Sequence, residues 1–553
     1  MLRERFLRGI RRVPFGTWLS LPALVAAIVL LWAPLRFFLK HPSPVAFDDG
    51  YTVALAERII DKAWLPYVDG VSHRGPLLYW AHAISQSVFG RFEWSSARHL
   101  ANLLSVATLL SIFAAAVAAR QRVAAAIAVL VYVWLVSVYE ISAVFGVGGE
   151  QVSTPLTVGA LALTTVALMR AERLGTRAGL LFAAGCLAAM SGLAKQTALL
   201  SVAPLGLWTL ATALSERREG ARRWWWLVAA LVLGFVVPFA LVLLRYALSR
   251  GLGAFWYWYY VYNAQVYMGP HRDDSLRTAF DPLFDHRNYA LLALGLAVAT
   301  AVCARIAAFG KTDRSLVSLI SAGGFEISVA LLTVVTLVGA LAPMRFFYHY
   351  FVPVFPFAAL LVGIGMERAM AGAGGSRWAL VAASATAIIF VFLMTLFAQD
   401  RLMRGLREAR DRGGWSGVLP EPICDYLDQN SQPGSPIFVW GFDGDVYVTC
   451  RRPPATRFVY LTMVAGVVPD RSWRPPSAAA VAPRAREQLI ADLTESKPGV
   501  VLDMPKNLKG VSLHSVPELV AHLKDHYCEM PTIHAKDGRA ATPWLRRGTA
   551  QCP

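Results

Sequence analysis

The sequence predicts an α-helical polytopic membrane protein with about eleven transmembrane helices and a small C-terminal α/β domain. Its 553 residues are 56% hydrophobic and only 16% charged, with a mean hydropathy of +0.47. Ordinary globular chains are about 25% charged, so this composition is too apolar for a soluble protein of this size. Apolar segments recur through the first 400 residues at the length of about 20 residues that a membrane-spanning helix needs. The remaining residues are polar and contain short strand-like runs.

Eleven apolar segments are predicted to span the membrane. They lie near residues 17–39, 98–118, 123–141, 150–169, 178–194, 197–214, 225–246, 288–308, 318–342, 350–370 and 378–398. The basic N-terminus MLRERFLRGIRRVPFG before the first segment could belong to a signal peptide. However, the apolar part is too long and no small-residue cleavage site follows it, which favours an uncleaved first span.

Arginine clusters fix the predicted topology, because short loops rich in Lys and Arg remain in the cytoplasm. Clusters precede the first span and follow the second, fourth, sixth, eighth and tenth spans. With eleven spans they all fall on one side, which places the N-terminus inside and the C-terminal domain outside. The net charge of +17 therefore indicates topology and contact with anionic lipid rather than nucleic-acid binding.

Two domains are predicted: a transmembrane domain over residues 1–398, with its first external loop at 40–97, and a soluble domain over 399–553. Strands are expected at 435–441, 456–461 and 499–504, and helices at 485–496 and 517–527. Asp443 and Asp445 fit a turn better than a metal site. Cys186 and Cys303 lie in apolar segments. The polar region contains Cys424, Cys450, Cys528 and Cys552, and a disulfide among them is an option if the region is outside the cytoplasm.

Two adjacent carboxylates, Asp48 and Asp49, follow the first span at the predicted outer surface. The segment after them has apolar residues at helical spacing, which favours a helix lying in the membrane interface, and Gly75-Pro76 starts a second such helix. One interpretation is that Asp49 simply caps the first helix, a common role for Asp. The other is that the pair points into a cavity, since ionised groups near a membrane are costly without a role.

Glu150, in the glycine-rich sequence FGVGGEQ, is the second acidic candidate on this face. By itself it could be a solvated loop residue. Together with Asp48 it could flank a cavity, where two carboxylates would suit deprotonation of an acceptor or binding of a divalent cation such as Mg²⁺ or Mn²⁺. Asp69 is better explained as a turn residue.

Cations on the predicted outer face suggest an anion site. Lys195 lies in a short turn between two spans, where it could extend to the interface or pair with a phosphate. The sequence RFFYHYF adds Arg345, Tyr348, His349 and Tyr350. Its Arg and Tyr residues could grip a phosphate, or the motif could be an aromatic belt with one anchoring Arg. His271 and Arg272 are weaker candidates on a long loop.

These motifs together resemble the GT-C superfamily of membrane glycosyltransferases, in particular the bacterial branch related to protein O-mannosyltransferases and the lipid A aminoarabinose transferase. The matching features are Asp48-Asp49, HRGPLLYW (73–80), SGLAKQTA around Lys195 and RFFYHYFVPVFP (345–356). Gly75 stands where the family has a proline. The C-terminal stretch 423–460 is similar to the small external domain of some bacterial members.

The resemblance implies transfer of a sugar from a polyprenyl-phosphate donor to an external lipid, polysaccharide or protein, at a bacterial inner membrane, with inversion at the anomeric carbon. It implies that Asp48 is the catalytic base or a metal ligand, supported by Asp49 and Glu150. Lys195, Arg345, Tyr348 and His349 would hold the donor phosphate, and His73, Arg74 and Tyr79 would contact substrate.

Two other functions are compatible with the predicted architecture. A transporter or flippase of a lipid-linked saccharide would share the many spans, but the sequence shows no convincing internal repeat of the kind common in transporters. A non-catalytic assembly subunit would share the architecture and would not need Asp48.

Overall fold

The structure is a computed structural model. It describes residues 20–30, 47–139, 146–218, 224–268, 323–343, 347–372, 421–467, 476–508, 510–535, 538–548 and 552. The predicted spans at 288–308 and 378–398 lie outside the described residues, as do Arg345, His271, Arg272 and Cys303.

Most of the described membrane region is helical, as the composition predicts. Seven helical segments are long and apolar enough to cross a membrane: Trp94–Ala118, Gly149–Met169, Leu174–Ala194, Gln196–Arg218, Trp225–Leu248, Gly324–Leu341 and Tyr348–Arg368. Each corresponds to a predicted span. Two shorter apolar helices, Ser20–Leu30 and Arg122–Val136, correspond to the first and third predicted spans.

The α-helices of this region are numbered here in chain order. They are α1 Ser20–Leu30, α2 Phe47–Ile60, α3 Pro76–Phe89, α4 Trp94–Ala118, α5 Arg122–Val138, α6 Gly149–Met169, α7 Leu174–Ala194, α8 Val202–Arg218, α9 Trp225–Leu248, α10 Leu252–Trp256, α11 Gly324–Leu341 and α12 Phe355–Gly372. Tighter 3₁₀ turns precede α8 at Gln196–Ser201 and α12 at Tyr348–Val354. After α10 the aromatic sequence continues as two wider helical turns, Tyr257–Val261 and Asn263–Tyr267.

Helix ends that carry the arginine clusters meet at one end of the bundle. The Arg170 guanidinium, after α6, donates to the Ala118 carbonyl at the end of α4 over 2.7 Å. Arg177, early in α7, pairs with Glu216 near the end of α8 at 2.6 Å. The basic clusters after the second, fourth and sixth predicted spans therefore share one side of the bundle, in agreement with the charge pattern.

Both helices predicted after the first span are present. Helix α2 places Asp48 and Asp49 in its first turn. Helix α3 begins directly at Pro76, whose fixed φ and missing N–H suit the first helical position. Asp69 lies in the connection between them and accepts from the N–H groups of Ala63 and Leu65, at 3.0 and 2.8 Å, which confirms its interpretation as a turn residue.

The C-terminal region, defined here as residues 421–553, contains a five-stranded sheet and short helices. The strands are β1 Phe438–Gly441, β2 Val500–Met504, β3 Tyr527–Glu529, β4 Ile533–His534 and β5 Ala540–Arg546. The sheet order is β1-β2-β5-β3 with β4 on β5, and only the β1–β2 pair is parallel. The helices are α13 Glu421–Asn430, α14 Gly444–Thr449, α15 Thr462–Ala465, α16 Ala485–Ser496 and α17 Pro517–His526. Disulfides join Cys424 to Cys450 and Cys528 to Cys552.

One strand prediction in this region is wrong. Residues 456–461 are apolar and aromatic but form a buried loop instead of a strand. Their backbone groups bond outside the sheet: the Arg457 N–H donates to the Asp492 carboxylate at 2.8 Å, and the Arg457 carbonyl accepts from the Val71 N–H at 2.8 Å. These bonds take the place of the hydrogen bonds that a strand would make. The bond to Val71 also joins the loop to the segment between α2 and α3.

The C-terminal region packs directly on α2. A Cβ added to Gly50 would lie 2.5 Å from the Asp445 nitrogen, and one added to Gly444 would lie 2.6 Å from the Tyr51 nitrogen. Because no side chain fits between them, the backbones of α2 and α14 touch one residue after Asp49. The Arg58 guanidinium also donates to the Pro454 carbonyl at 3.0 Å. The sheet domain is thereby held against the helix that carries the acidic pair.

Candidate active site

Asp48 and Arg74 form an ion pair at the start of α2. The Arg74 Nη2 lies 2.6 Å from the Asp48 Oδ2, and the Asp48 side chain remains 34% exposed. The Arg74 backbone is held in place by the Tyr67 hydroxyl, which donates to its carbonyl at 2.6 Å. A carboxylate that is paired yet open on one side can still accept a proton from an incoming molecule.

The pairing controls the ionisation of both groups. Burial is the largest single influence and raises the pKa of Asp48. The charge of Arg74, the charge of His349, the hydrogen bond from Arg74 and the charge of His73 together outweigh burial, so the pKa lies below its ordinary value of 3.8. Burial alone would lower the pKa of Arg74, but Asp48, together with Tyr79 and Tyr460, raises it well above the ordinary value. Asp48 is therefore a carboxylate at neutral pH.

Asp49 occupies a different environment from its neighbour. Its carboxylate bonds the Arg98 guanidinium at 3.0 Å, where both side chains are essentially fully buried. Its other oxygen accepts from the Val147 N–H at 3.1 Å. The helix begins at Phe47, so Asp49 lies inside the first turn rather than at the N-cap. It joins α2 to α4 and to the segment that leads into α6.

Glu150 and Lys195 form a second ion pair on the same side of the bundle. The Lys195 Nζ lies 2.7 Å from the Glu150 Oε1 and 4.3 Å from the centre of the Tyr350 ring. Glu150 lies in the first turn of α6, not in a loop, and Lys195 ends α7. Glu150 and Lys195, which belong to separate motifs in the sequence, are therefore in direct contact in the fold.

The loop that carries Arg74 reaches this second pair because of Gly75. A Cβ added to Gly75 would lie 2.1 Å from the Leu193 carbonyl oxygen and 2.5 Å from that of Ala194. Only a glycine permits this approach to the end of α7. Gly75, which stands where the resembled family has a proline, therefore lies where the Arg74 loop contacts the residues just before Lys195.

His349 interacts electrostatically with both ion pairs, through Asp48 and Glu150. Its ring stacks on Phe347, with centroids 5.6 Å apart. The Tyr348 carbonyl accepts from the Tyr139 hydroxyl at 2.8 Å, which ties this turn to the end of α5. His349 and Lys195 meet at one site through Tyr350, whose ring centre lies 4.7 Å from that of His349 and 4.3 Å from the Lys195 Nζ. The Tyr348 ring packs on Tyr139, with centroids 6.1 Å apart.

His73 and Tyr79 belong to the wall around Arg74. The His73 ring stacks on Tyr267 with centroids 4.7 Å apart and lies 5.6 Å from the ring of Tyr460. Tyr79 is buried and its hydroxyl donates to Ser72. Tyr79 also interacts electrostatically with Arg74, so both residues belong to the surroundings of the Asp48–Arg74 pair.

A small cavity adjoins the second ion pair. Its volume is ≈ 20 Å³, room for about one water molecule. Glu150, Lys195 and Tyr350 line it together with hydroxyl groups that include those of Ser153 and Ser201. This polar lining lies among predicted membrane spans and allows hydration of the Glu150–Lys195 pair.

A divalent cation does not fit the carboxylates as the structure arranges them. Within the described ranges no three His, Cys, Asp or Glu side chains are grouped as a metal would require. Asp48 is bonded to Arg74 and Glu150 to Lys195, so each proposed metal ligand already holds a cation. The two carboxylates are therefore assigned roles that do not involve a metal ion.

Tyr267 and Tyr460 were not predicted from the sequence, whereas Tyr350 was a candidate in RFFYHYF. The Tyr460 ring lies over Arg74 and the Tyr350 ring over Lys195, and the Tyr267 and Tyr350 hydroxyls lie 2.6 Å apart. Arg98 was also missed, although an arginine at the start of an apolar span is a signal for a buried partner. Tyr267 and Tyr460 come from separate aromatic stretches, and the sequence offers no signal that would select them.

Comparison with known proteins identifies the fold. Residues 73–241 match the model of the dolichyl-phosphate-mannose-protein mannosyltransferase family. Among solved structures, ArnT from Cupriavidus metallidurans bound to undecaprenyl phosphate is similar, with a TM-score of 0.54 at 17% identity over 98% of this chain and 99% of that chain. The chain has the fold of the GT-C glycosyltransferases. This confirms the resemblance predicted from the sequence.

A second structure supports the GT-C fold. The oligosaccharyltransferase AglB from Archaeoglobus fulgidus, in complex with an inhibitory peptide and a dolichol-phosphate, has a TM-score of 0.51 at 12% identity. The alignment covers 96% of this chain and 74% of AglB. The comparison with curated protein sequences finds no significant match.

Proposed function

We propose that the chain is a membrane glycosyltransferase that moves a sugar from a polyprenyl-phosphate donor to an acceptor outside the cytoplasm, with inversion of configuration. The observation that carries this proposal is the meeting of two carboxylates and two cations at one end of the bundle, within a GT-C fold. The family match over residues 73–241, and the polyprenyl phosphates named with ArnT and AglB, support the donor class.

The reaction would be a single displacement. An acceptor hydroxyl attacks the anomeric carbon and gives its proton to Asp48, while the bond from that carbon to the phosphate oxygen breaks. Asp48 suits the role of base because it is ionised and partly exposed. Polyprenyl phosphate leaves with additional negative charge.

The cations would stabilise that leaving phosphate. Lys195 directly follows α7 and lies beside Tyr350, and Arg74 lies beside Asp48. Lys and Arg both bind phosphate, and fixed positive charge near a developing anion lowers the barrier to its formation. Arg345, outside the described residues, remains a further predicted phosphate ligand.

The donor would enter from the lipid. A polyprenyl tail is apolar and would remain among the spans while its phosphate reaches Lys195 and Arg74. The C-terminal region then lies on the acceptor side of the membrane, in agreement with its two disulfides, which persist in oxidising compartments. We propose that the protein lies in a bacterial inner membrane, with the C-terminal region outside the cytoplasm.

The test uses the full-length protein with polyprenyl-phosphate-linked sugars and a panel of lipid, polysaccharide and protein acceptors. We expect release of free polyprenyl phosphate with an inverted product, and a loss of about 10²–10⁴-fold in kcat for Asp48→Asn. Asp61→Asn, an exposed acid just after α2, is the matched control and should retain activity. A retained anomeric configuration would contradict the single displacement.

The same preparation distinguishes the two rival functions. Movement of a labelled donor across proteoliposomes without cleavage would indicate a transporter. Unchanged surface glycans in cells that carry Asp48→Asn at normal protein levels would indicate a non-catalytic subunit. Either result would overturn the proposed transfer.

A further inference from the structure

Tyr460 of the C-terminal region lies against the charged residues of the membrane domain. Its ring centre is 5.8 Å from the Arg74 guanidinium carbon and 5.6 Å from the His73 ring centre. The ring itself is buried, with 8% of its surface exposed. Tyr460 thus contacts the same guanidinium that pairs with Asp48.

Aromatic packing holds the Tyr460 ring in this position. Phe442 stacks on it with centroids 5.6 Å apart, and Tyr51, from α2, meets it edge-on at 5.3 Å. Tyr51 and Phe442 also contact each other at 5.8 Å. The three rings therefore link β1 and the 456–461 loop to α2 two to three residues after the acidic pair.

The docking of α14 sets the distance between the two regions. The Gly50–Gly444 contact leaves no space for a side chain. Arg539 holds this end of α14 by bonding Asp443 at 3.3 Å and Asp445 at 2.7 Å. Backbone contact and a clamped helix end fix the position of the loop that carries Tyr460.

We propose that Tyr460 is a positioning residue, through which the C-terminal region holds the Arg74 guanidinium against Asp48. The inference rests on the proposed transfer reaction for its effect on catalysis, but its structural part does not. The aromatic face attracts the guanidinium and covers it on one side, so water competes less with the Asp48–Arg74 pair. The C-terminal region is then a component of the active site rather than only a platform for the acceptor.

The groups that face Asp48 come from both regions. Arg74, His73 and His349 lower its pKa from the membrane domain, and the Tyr460 ring covers Arg74 from the C-terminal region. The phenol of Tyr460 has a pKa raised by burial and by the charge of Asp48, so it is neutral at physiological pH. The ring, not a phenolate, therefore carries the proposed effect.

The structural part is tested without any activity assay. Arg74 is labelled with phenylglyoxal in the full-length protein and quantified by mass spectrometry, with exposed Arg484 as internal reference. In Tyr460→Leu we expect phenylglyoxal to modify Arg74 about fivefold faster, because about this factor corresponds to the loss of one cation–π contact. In Tyr460→Phe, which keeps the aromatic ring, Arg74 should be modified at the wild-type rate. Tyr426→Leu, in α13, is the matched control.

A second perturbation acts from the opposite side and does not alter the ring. Gly444→Ala places a methyl group against the Tyr51 backbone and should separate α14 from α2, so Arg74 labelling should rise. Gly499→Ala, whose Cβ meets only ordinary contact at 3.6 Å, should leave labelling unchanged. This pair keeps the test valid if Tyr460→Leu does not fold.

Activity measurements complete the test. We expect kcat/KM to fall about fivefold for Tyr460→Leu and to recover in Tyr460→Phe. Faster labelling in a protein that never transfers sugar would refute the proposed function and leave the positioning role standing. Wild-type labelling of Arg74 in both Tyr460→Leu and Gly444→Ala, or wild-type kcat/KM in an active Tyr460→Leu, would overturn the inference.

Discussion

At the scale of single residues, the two adjacent carboxylates have separate environments. Asp48 pairs with a partly exposed arginine at the site, whereas Asp49 is buried against Arg98. The sequence predicts an acidic pair after the first span, and the resemblance assigns catalysis to Asp48, but neither predicts the different partners of the two carboxylates. That distinction depends on partners 26 and 49 residues away, which no local pattern specifies.

Arg74 should govern the pH dependence of the proposed reaction. In Arg74→Met the burial of Asp48 remains while its main compensating charge is lost, so the pKa of Asp48 should rise from its lowered value. Activity that needs the carboxylate is lost as pH falls through that pKa, so the acidic limb of the kcat profile should move to higher pH. Arg74→Lys should keep the limb near the wild-type position. An unshifted limb in Arg74→Met would show that Asp48 is not the titrating base.

Lys195 should act chiefly on donor binding. Removing its charge in Lys195→Met should raise KM for the polyprenyl-phosphate sugar by about tenfold or more, since a charge-assisted phosphate contact is lost. Lys62→Met, which removes an exposed lysine after α2, is the control for net charge. Equal KM values for the donor in Lys195→Met and the control would place the phosphate elsewhere.

At the scale of secondary-structure elements, apolar segment length predicts the membrane helices well. Every long helix described in the membrane region matches a predicted span, and Gly75-Pro76 correctly predicts the start of α3. The C-terminal region is less predictable. Residues 456–461 have strand composition, yet their backbone bonds a carboxylate and a distant loop, and tertiary contact overrides local preference.

The buried Asp49–Arg98 pair should stabilise the arrangement of α2, α4 and α6. Arg98→Met leaves a buried carboxylate without its cation, which should cost about 3–5 kcal/mol of unfolding free energy. The double variant Asp49→Asn with Arg98→Met should recover part of this loss, because no uncompensated charge remains. Thermal unfolding of the purified proteins measures both effects. A double variant less stable than Arg98→Met alone would contradict this explanation.

At the scale of the whole molecule, the ends of the helices separate two kinds of chemistry. Arg170 and Arg177 mark one end, and the Asp48–Arg74 and Glu150–Lys195 pairs lie at the other. Charge patterning predicts this separation from the sequence, because loop arginines alternate with site residues along the spans. The contribution of Tyr460 could not be predicted, since it depends on how a separate region docks at Gly50 and Gly444.

This separation predicts the orientation of the protein in the membrane. Helix α8 begins one 3₁₀ segment after Lys195, and its 17 residues extend about 25 Å to Arg218 at the opposite end. In a background with Cys186→Ser and Cys303→Ser, we introduce Lys62→Cys or Arg218→Cys, both at exposed positions. A membrane-impermeant maleimide applied from outside the inner membrane should label Lys62→Cys and leave Arg218→Cys unlabelled until the membrane is opened. The reverse pattern would place the carboxylates and the disulfide-containing region in the cytoplasm. A donor carried across the membrane on a lipid would then not be needed, because activated sugar nucleotides are present on that side.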